Sequence, residues 1–227
     1  GDEDLDVLKR FSDVFGFAYN RFQELKQKEE QNRELTIQNA IERVRSRALG
    51  MQESSELDEV SVALFEALGE LSFDTFWCAI GLIDEPGDRF AISAQVSGAE
   101  DLVQSAASLQ ASVEASVTSR TIVEAWRRKD KAYTLEVTGQ ALTDHLEFWT
   151  PVVQESNPGY QFPQAFAEAE KIYQFGSLFP HGLIEIGTPQ AVGQEDQDVL
   201  RRFTEVFEFA YARFLELKEK EEQNREL

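Results

Sequence analysis

The chain has 227 residues, 42% of them hydrophobic and 17 of them Phe, and a formal net charge of -20. That length and apolar mass build one full-sized domain with helix to spare, while the charge excludes nucleic acid and anionic membrane surfaces as partners. A single cysteine, Cys78, excludes an internal disulfide and a multi-cysteine zinc site, and with no signal-like or membrane-length apolar run it sets the expectation of a cytoplasmic protein.

The first predicted element is a long helix. Phe11, Phe15, Ala18, Phe22 and Leu25 recur at alternating spacings of four and three, the stripe of a coiled-coil seam. No proline or glycine interrupts Phe17 to Leu49, so the helix should run to Gly50. Ile37, Ile41, Val44, Ala48 and Met51 form a second stripe, one residue out of phase with the first, a skip that relaxes a left-handed supercoil. Between the stripes, KQKEEQNRE mixes both signs and reads as a solvated face. Its seam would carry Glu29 and Asn32, which fix register at a cost in stability.

The same segment returns at the other end. Asp6–Leu35 and Asp198–Leu227 align without a gap at an offset of 192, with mild exchanges such as Lys9 for Arg201 and Ser12 for Thr204. That period is too long for a solenoid repeat and matches a domain plus its connecting helix. The expectation is an exit helix of one domain that serves as the entry helix of the next, in a longer protein carrying such domains in series. A designed duplication is the alternative. The second copy repeats the seam with Phe203, Phe207, Phe214 and Leu217. A helix of roughly 70 Å with one apolar stripe must bury it, so a homodimer paired through these helices is expected, parallel or antiparallel.

Between the helices, Ser55-Glu56-Leu57-Asp58 reads as a capping signal, and Leu57, Val60, Leu64 and Leu68 line one face of a new helix. Thr75–Ile83 and Arg89–Val96 read as strands joined across Pro86-Gly87-Asp88. Ser108–Val113 and Tyr133–Val137 are weaker strand candidates, with Thr121–Arg128 a short helix between them. Gln140–Glu155 and Pro163–Ile172 read as helices, and Tyr173–Phe179 with Gly182–Gly187 as a hairpin. The closing helix starts near Glu195, acidic in its first turn as the helix dipole favours. An α+β fold, with a central antiparallel sheet and helices packed on one side, satisfies this order.

Residues equipped for chemistry are few. The two histidines, His145 and His181, belong to no metal-binding motif, no calcium-type loop is present, and neither a phosphate-cradling nor a dinucleotide glycine motif appears. No metal and no cofactor is required. Trp77, Trp126, Tyr133, His145, Trp149, Tyr160, Phe162 and Tyr173 supply the apolar walls and few polar groups of a small-molecule pocket, or else plain core. A nucleophilic pair of Cys78 with His145 defines an enzymatic alternative.

The stretches RFSDVFGFAYNRFQEL (10–25), AIERVRSRALGMQESSEL (40–57), FPHGLIEI (179–186) and RFTEVFEFAYARFLEL (202–217), in this element order, resemble the GAF-type sensory repeats of bacterial multidomain signalling proteins. Many of these end in a histidine kinase of a two-component system. The resemblance implies an entry helix at 1–52, a GAF-like sensor at 53–192 and an exit helix at 193–227. It also implies flanking helices on one sheet face and a ligand pocket on the other. The function it implies is non-enzymatic: a cytoplasmic module that senses a small ligand or partner and relays the change to an adjacent output domain. The chain lacks the cysteine set of sulfoxide-reducing relatives and the cysteine–histidine pair of bilin-binding ones. A ligand-free dimerising spacer is the second reading.

Overall fold

The structure is a computed structural model and describes residues 1–71, 73–84, 89–108 and 116–225. The chain divides into two compact units, 1–40 and 41–227. The first consists of the leading turns of helix α1 (Asp2–Gly50). Spaced charges support this helix locally, with Arg21 3.1 Å from Glu24 and Lys26 3.8 Å from Glu30. Its aromatic stripe is bare: Phe11 is 71% exposed, Phe15 72% and Phe17 75%, and Phe22 and Leu25 are exposed as well.

The second unit holds the last turns of α1, a short 3-10 turn (Ser54–Glu56), α2 (Leu57–Glu70), β1 (Trp77–Ile83), β2 (Arg89–Val96), β3 (Val103–Ser108), α3 (Val117–Arg127), β4 (Ala132–Thr138), α4 (Gly139–Ser156), α5 (Gln164–Ala167), β5 (Lys171–Phe179), β6 (Gly182–Thr188) and α6 (Gln194–Arg225). The six strands form one antiparallel sheet in the order β3-β2-β1-β6-β5-β4. The central strands β1 and β6 are buried along almost their whole length, as strands covered on both faces are.

One face carries α2 and α6. Phe203 and Phe207 are fully buried there, with the Phe207 ring 5.9 Å from that of Phe179 and the Arg201 guanidinium 5.7 Å above Phe175. Phe65 and Leu68 of α2 lie beside Cys78 and Ile186. The last turns of α1 run along α2, where Arg43 pairs with Glu70 and Arg47 with Glu59. Helix α6 also fastens the α1–α2 junction. Arg213 donates two hydrogen bonds to the Met51 carbonyl just past the end of α1, where a cation suits the negative end of the helix dipole. The Glu221 carboxylate accepts from the backbone N–H and hydroxyl of Ser54, ahead of α2.

The opposite face is covered by α3 and α4, so helices flank the sheet on both sides and not on one as the sequence order implied. Most predicted elements stand within a few residues of their expected places. Four differ. No side chain caps α2 at its N-cap residue Glu56, and distant Glu221 instead holds Ser54 at the start of the preceding 3-10 turn. The third strand ends at Ser108, and the remainder of the predicted 108–113 strand lies outside the described residues. The helix expected over 163–172 is the single turn α5, because Lys171 and Ile172 already belong to β5 and Ile172 is fully buried there. The seam residues Phe203, Phe207, Ile41 and Val44, expected to face a second copy, are buried within the chain, as is Ile37, while Phe214 and Leu217 are half-buried. A four-three spacing marks an apolar stripe, and in α6 that stripe meets a sheet. Among the described residues no helix is long and apolar enough to cross a membrane.

The two copies of the repeat therefore differ in environment and scarcely in sequence. Phe207→Ala should cost about 3–5 kcal/mol of unfolding free energy, because it empties a packed core position. Its twin Phe15→Ala should stay within about 0.5 kcal/mol of wild type. Urea denaturation of both variants at low protein concentration measures the contrast.

Candidate functional site

The face beneath α3 and α4 contains two rows of mutually opposed residues. Tyr133, Gly176, Glu185, Ala79, Ala94 and Val103 form one row across all six strands. Leu135, Gln174, Gly187, Trp77 and Val96 form the next. Large and small residues alternate so that rings lie over bare backbone. A Cβ at Gly187 would stand 2.2 Å from the Trp77 ring, and one at Gly176 2.1 Å from that of Tyr133. Glycine is required at both positions by close approach.

Beside these rings the short side chains of Ala79 and Ala94 leave a hollow of about 40 Å³. Its walls are Trp77, Ile92, Val96, Val103, Trp149, Val153, Phe162 and Phe166, and its polar groups are Glu185 and His145. Helix α4 supplies His145, Trp149 and Val153, which fall on one side at helical spacing. Phe166, from α5, stacks on Phe76 at 4.5 Å and lies 5.6 Å from Trp77. In this form the hollow admits a few waters, far below the several hundred Å³ of a metabolite pocket.

Glu185 is held by its neighbours on the sheet. Trp77 Nε1 donates to it at 3.2 Å, the Tyr133 hydroxyl donates to its other oxygen, and Gln174 Nε2 lies 3.4 and 3.5 Å from the two oxygens. Burial pushes this carboxyl above the usual carboxylate range, and the three donors offset part of that rise. The Tyr133 hydroxyl is pushed up by burial and by Glu185. Gln174 Oε1 is buried without a hydrogen-bond partner, a costly state for an amide oxygen.

His145 is 3% exposed. Its Nδ1 is 3.2 Å from the Thr118 hydroxyl, which belongs to a buried cluster with Ser116 and Ser119 at the start of α3. Ser116 caps that helix by accepting from the Ser119 N–H at 3.1 Å. The imidazole ring lies 5.2 Å from Trp77 and 6.3 Å from Trp149. Burial lowers its pKa to about 4, so the ring is neutral at pH 7.

Of the residues singled out as pocket candidates, Trp77, His145, Trp149 and Phe162 line the hollow together. Tyr133 stands one hydrogen bond behind it, through Glu185. Tyr160 is buried nearby with its hydroxyl on the Ser97 carbonyl. Two lie elsewhere. Trp126 donates to the Pro180 carbonyl and lines a separate surface groove with Arg127, Lys131 and Phe179. Tyr173 alternates with Gln174 and so projects to the opposite sheet face, under the Lys171 ammonium. Cys78, next to Trp77 on β1, also faces away from His145, so the two form no catalytic pair. Burial raises the thiol pKa well above its ordinary value and keeps it unreactive. The residue missed was Glu185, and its signal was available: it is the one charged side chain in the apolar strand Gly182–Thr188. Among the described residues no group of three His, Cys, Asp or Glu is placed to hold a metal ion.

The buried His145 and Glu185 give opposite pH slopes. The folded-state pKa of His145 lies below the unfolded value, so its contribution is complete above pH 6.5 and is lost as pH falls toward about 4. That loss is on the order of 3 kcal/mol, and His145→Phe should remove it. Glu185, with its pKa raised, favours the folded state below pH 4.5 and loses that contribution as pH rises through its folded value. Glu185→Gln should flatten the loss. Urea midpoints measured across the acidic range for both variants check the two signs.

No protein-family profile matches the chain, and no curated protein sequence matches it. Among solved structures, one described as the structure of the GAF domain is similar to it, with a TM-score of 0.44 and 13% identity over 78% of this chain and 88% of that one.

Proposed function

We propose that this chain is a non-enzymatic, GAF-type sensory and regulatory module of a cytoplasmic signalling protein, which takes a small, mostly apolar ligand against Glu185 and His145. The observation that carries this reading is the position of β5 and β6 between the hollow and α6. On β6, Glu185 faces the hollow while Ile184 and Ile186 face the helix layer. On β5, Gln174 and Gly176 belong to the hollow's face, and Phe175 and Phe179 touch Arg201 and Phe207 of α6. A ligand that shifts Glu185 or the rings around it therefore presses on strands in direct contact with the exit helix.

The ligand enters by displacing Trp149 and Phe162, the two half-buried walls. Its recognition uses a neutral imidazole, a carboxyl that ionises late, and aromatic faces, which suits a flat heterocycle carrying one or two hydrogen-bonding groups. Signalling requires that the ligand prefer one of two arrangements of sheet and helix. Two copies pair through apolar side chains that the fold leaves exposed, such as Phe209 on α6, and pass the change to an output domain, for which a histidine kinase is the proposed example.

The small size of the hollow favours a second reading, a ligand-free spacer that dimerises and aligns neighbouring domains. Ala94→Val separates the two, because it fills the hollow without reaching the helix layer. In a thermal-shift screen of uncharged heterocycles, the sensor reading expects a ligand at 100 times its Kd to add about 2.7 kcal/mol of stability. Ala94→Val should abolish that shift. Failure of every compound, with Ala94→Val as stable as wild type or more so, supports the spacer. Sedimentation at micromolar concentration should read a dimer under both readings, and a monomer overturns the pairing.

A further inference from the structure

The N-terminal turns of α1 carry an apolar face whose intended cover is shown elsewhere in the same chain. In α6, the residues that seat the helix on its domain are Val199, Leu200, Phe203, Val206, Phe207 and Ala210, all buried to 5% exposure or less. Their counterparts 192 residues earlier are Val7, Leu8, Phe11, Val14, Phe15 and Ala18, every one identical. Arg213 and Glu221, which fasten the α1–α2 junction, are matched by Arg21 and Glu29. Tyr211, whose ring lies 5.4 Å from His181 on the β5–β6 turn, is matched by Tyr19.

Seven of the thirty repeat positions differ, and four of them fall where α6 faces away from its domain, while Arg201 and Glu208, for Lys9 and Gly16, are half-buried. Glu205, Ala212, Leu215 and Glu219 are exposed and stand opposite Asp13, Asn20, Gln23 and Gln27. The one buried exchange, Thr204 for Ser12, keeps the hydroxyl. A helix kept for general solubility, or for pairing with its own copy alone, has no reason to preserve the sheet-facing residues together with both polar fasteners. Meanwhile Phe11 and Phe15 stand more than 70% exposed, an apolar surface that a soluble chain covers.

We propose that residues 7–29 of α1 are a docking element for a second copy of this domain. They seat on the β5–β6 face of a copy whose own α6 is absent, in the place that residues 199–221 of α6 take on their own domain. Phe15 then packs on the second copy's Phe179, Tyr19 lies by its His181, and Arg21 and Glu29 close its α1–α2 junction. This inference stands on the repeat and its burial, and is independent of any ligand.

A tandem chain tests it: residues 1–197 joined to residue 6 of a complete second copy, so that the shared segment closes the first sheet in unbroken helical phase. The expected result is two folded domains, with amides of residues 11–18 in the shared helix exchanging at least about 100-fold more slowly than in the single chain. Phe11→Asp with Phe15→Asp in the shared helix should unfold the first domain and spare the second. In the single chain the same pair of substitutions should leave the melting of the domain unchanged. The proposal fails if the first domain does not fold, if the shared helix exchanges as fast as in the single chain, or if the paired aspartates leave the first domain intact. It also fails if the single chain already protects residues 11–18 in a concentration-dependent way that Phe15→Asp removes, because a second helix then covers this face.

Discussion

The structure depends on the burial of one helical stripe. Val199, Phe203, Phe207 and Ala210 close the face of the sheet that β5 and β6 would otherwise show to water. Each buried aromatic contributes on the order of 2–3 kcal/mol through the area it removes from solvent. Because the stripe is fixed there, the next turns of α6 carry Arg213 to the end of α1 and Glu221 to the 3-10 turn ahead of α2. Apolar packing sets the position, and the polar contacts at the junction then form between groups already brought together. The order matters, since an exposed ion pair or hydrogen bond alone is too weak to place a helix.

The other face is governed by side-chain volume. Large rings can lie flat across a sheet only where the strand beneath has no side chain, and Gly176 and Gly187 provide that. Where the neighbours are alanines, the rings cannot fill the space, and a hollow remains with a carboxyl at its floor. A buried carboxyl and a neutral buried histidine both weaken the fold at some pH. Groups of this kind persist in cores when they hold a geometry that apolar residues would not specify. Here Glu185 stands on β6, which with β5 packs against α6, so the polar floor and the exit helix share one mechanical element.

Much of this was legible in the sequence because it rests on periodicity. Helices α1, α2 and α6 and strands β1, β2, β5 and β6 are long enough for their apolar spacing to declare them. Local pattern could not say what each stripe faces. Phe203 and Phe207 have the spacing of a coiled-coil seam, and helix against sheet buries the same spacing. Lys171 and Ile172 were read as helix because they follow a helical stretch, and pairing with Val137 and Thr138 overrides that propensity. Trp77, His145, Trp149 and Phe162, singled out by residue type, line the hollow, whereas Tyr173 projects from the other sheet face, because residue type says nothing of which face a strand residue takes. Glu185 was overlooked inside an apolar hairpin, although a solitary acid in a buried strand is among the stronger signals a sequence offers.

The repeat shows where sequence stops and context begins. The described residues of both copies are helical, yet the apolar stripe with Phe11 and Phe15 is solvent-exposed in the first and the matching stripe over Val199–Ala210 is buried in the second. Helix formation therefore comes from the segment itself, from charge pairs and the absence of proline, and Gly16 is carried within it. The polar turns beyond residue 210 illustrate this. They hold a helix to Arg225 with few buried contacts, so the 15 residues after Ala210 extend roughly 22 Å along the axis. A helix that is stiff without its neighbours conveys any rotation at its seated end along that whole length. The buried stripe decides where the rod is held, and the polar remainder keeps it a rod.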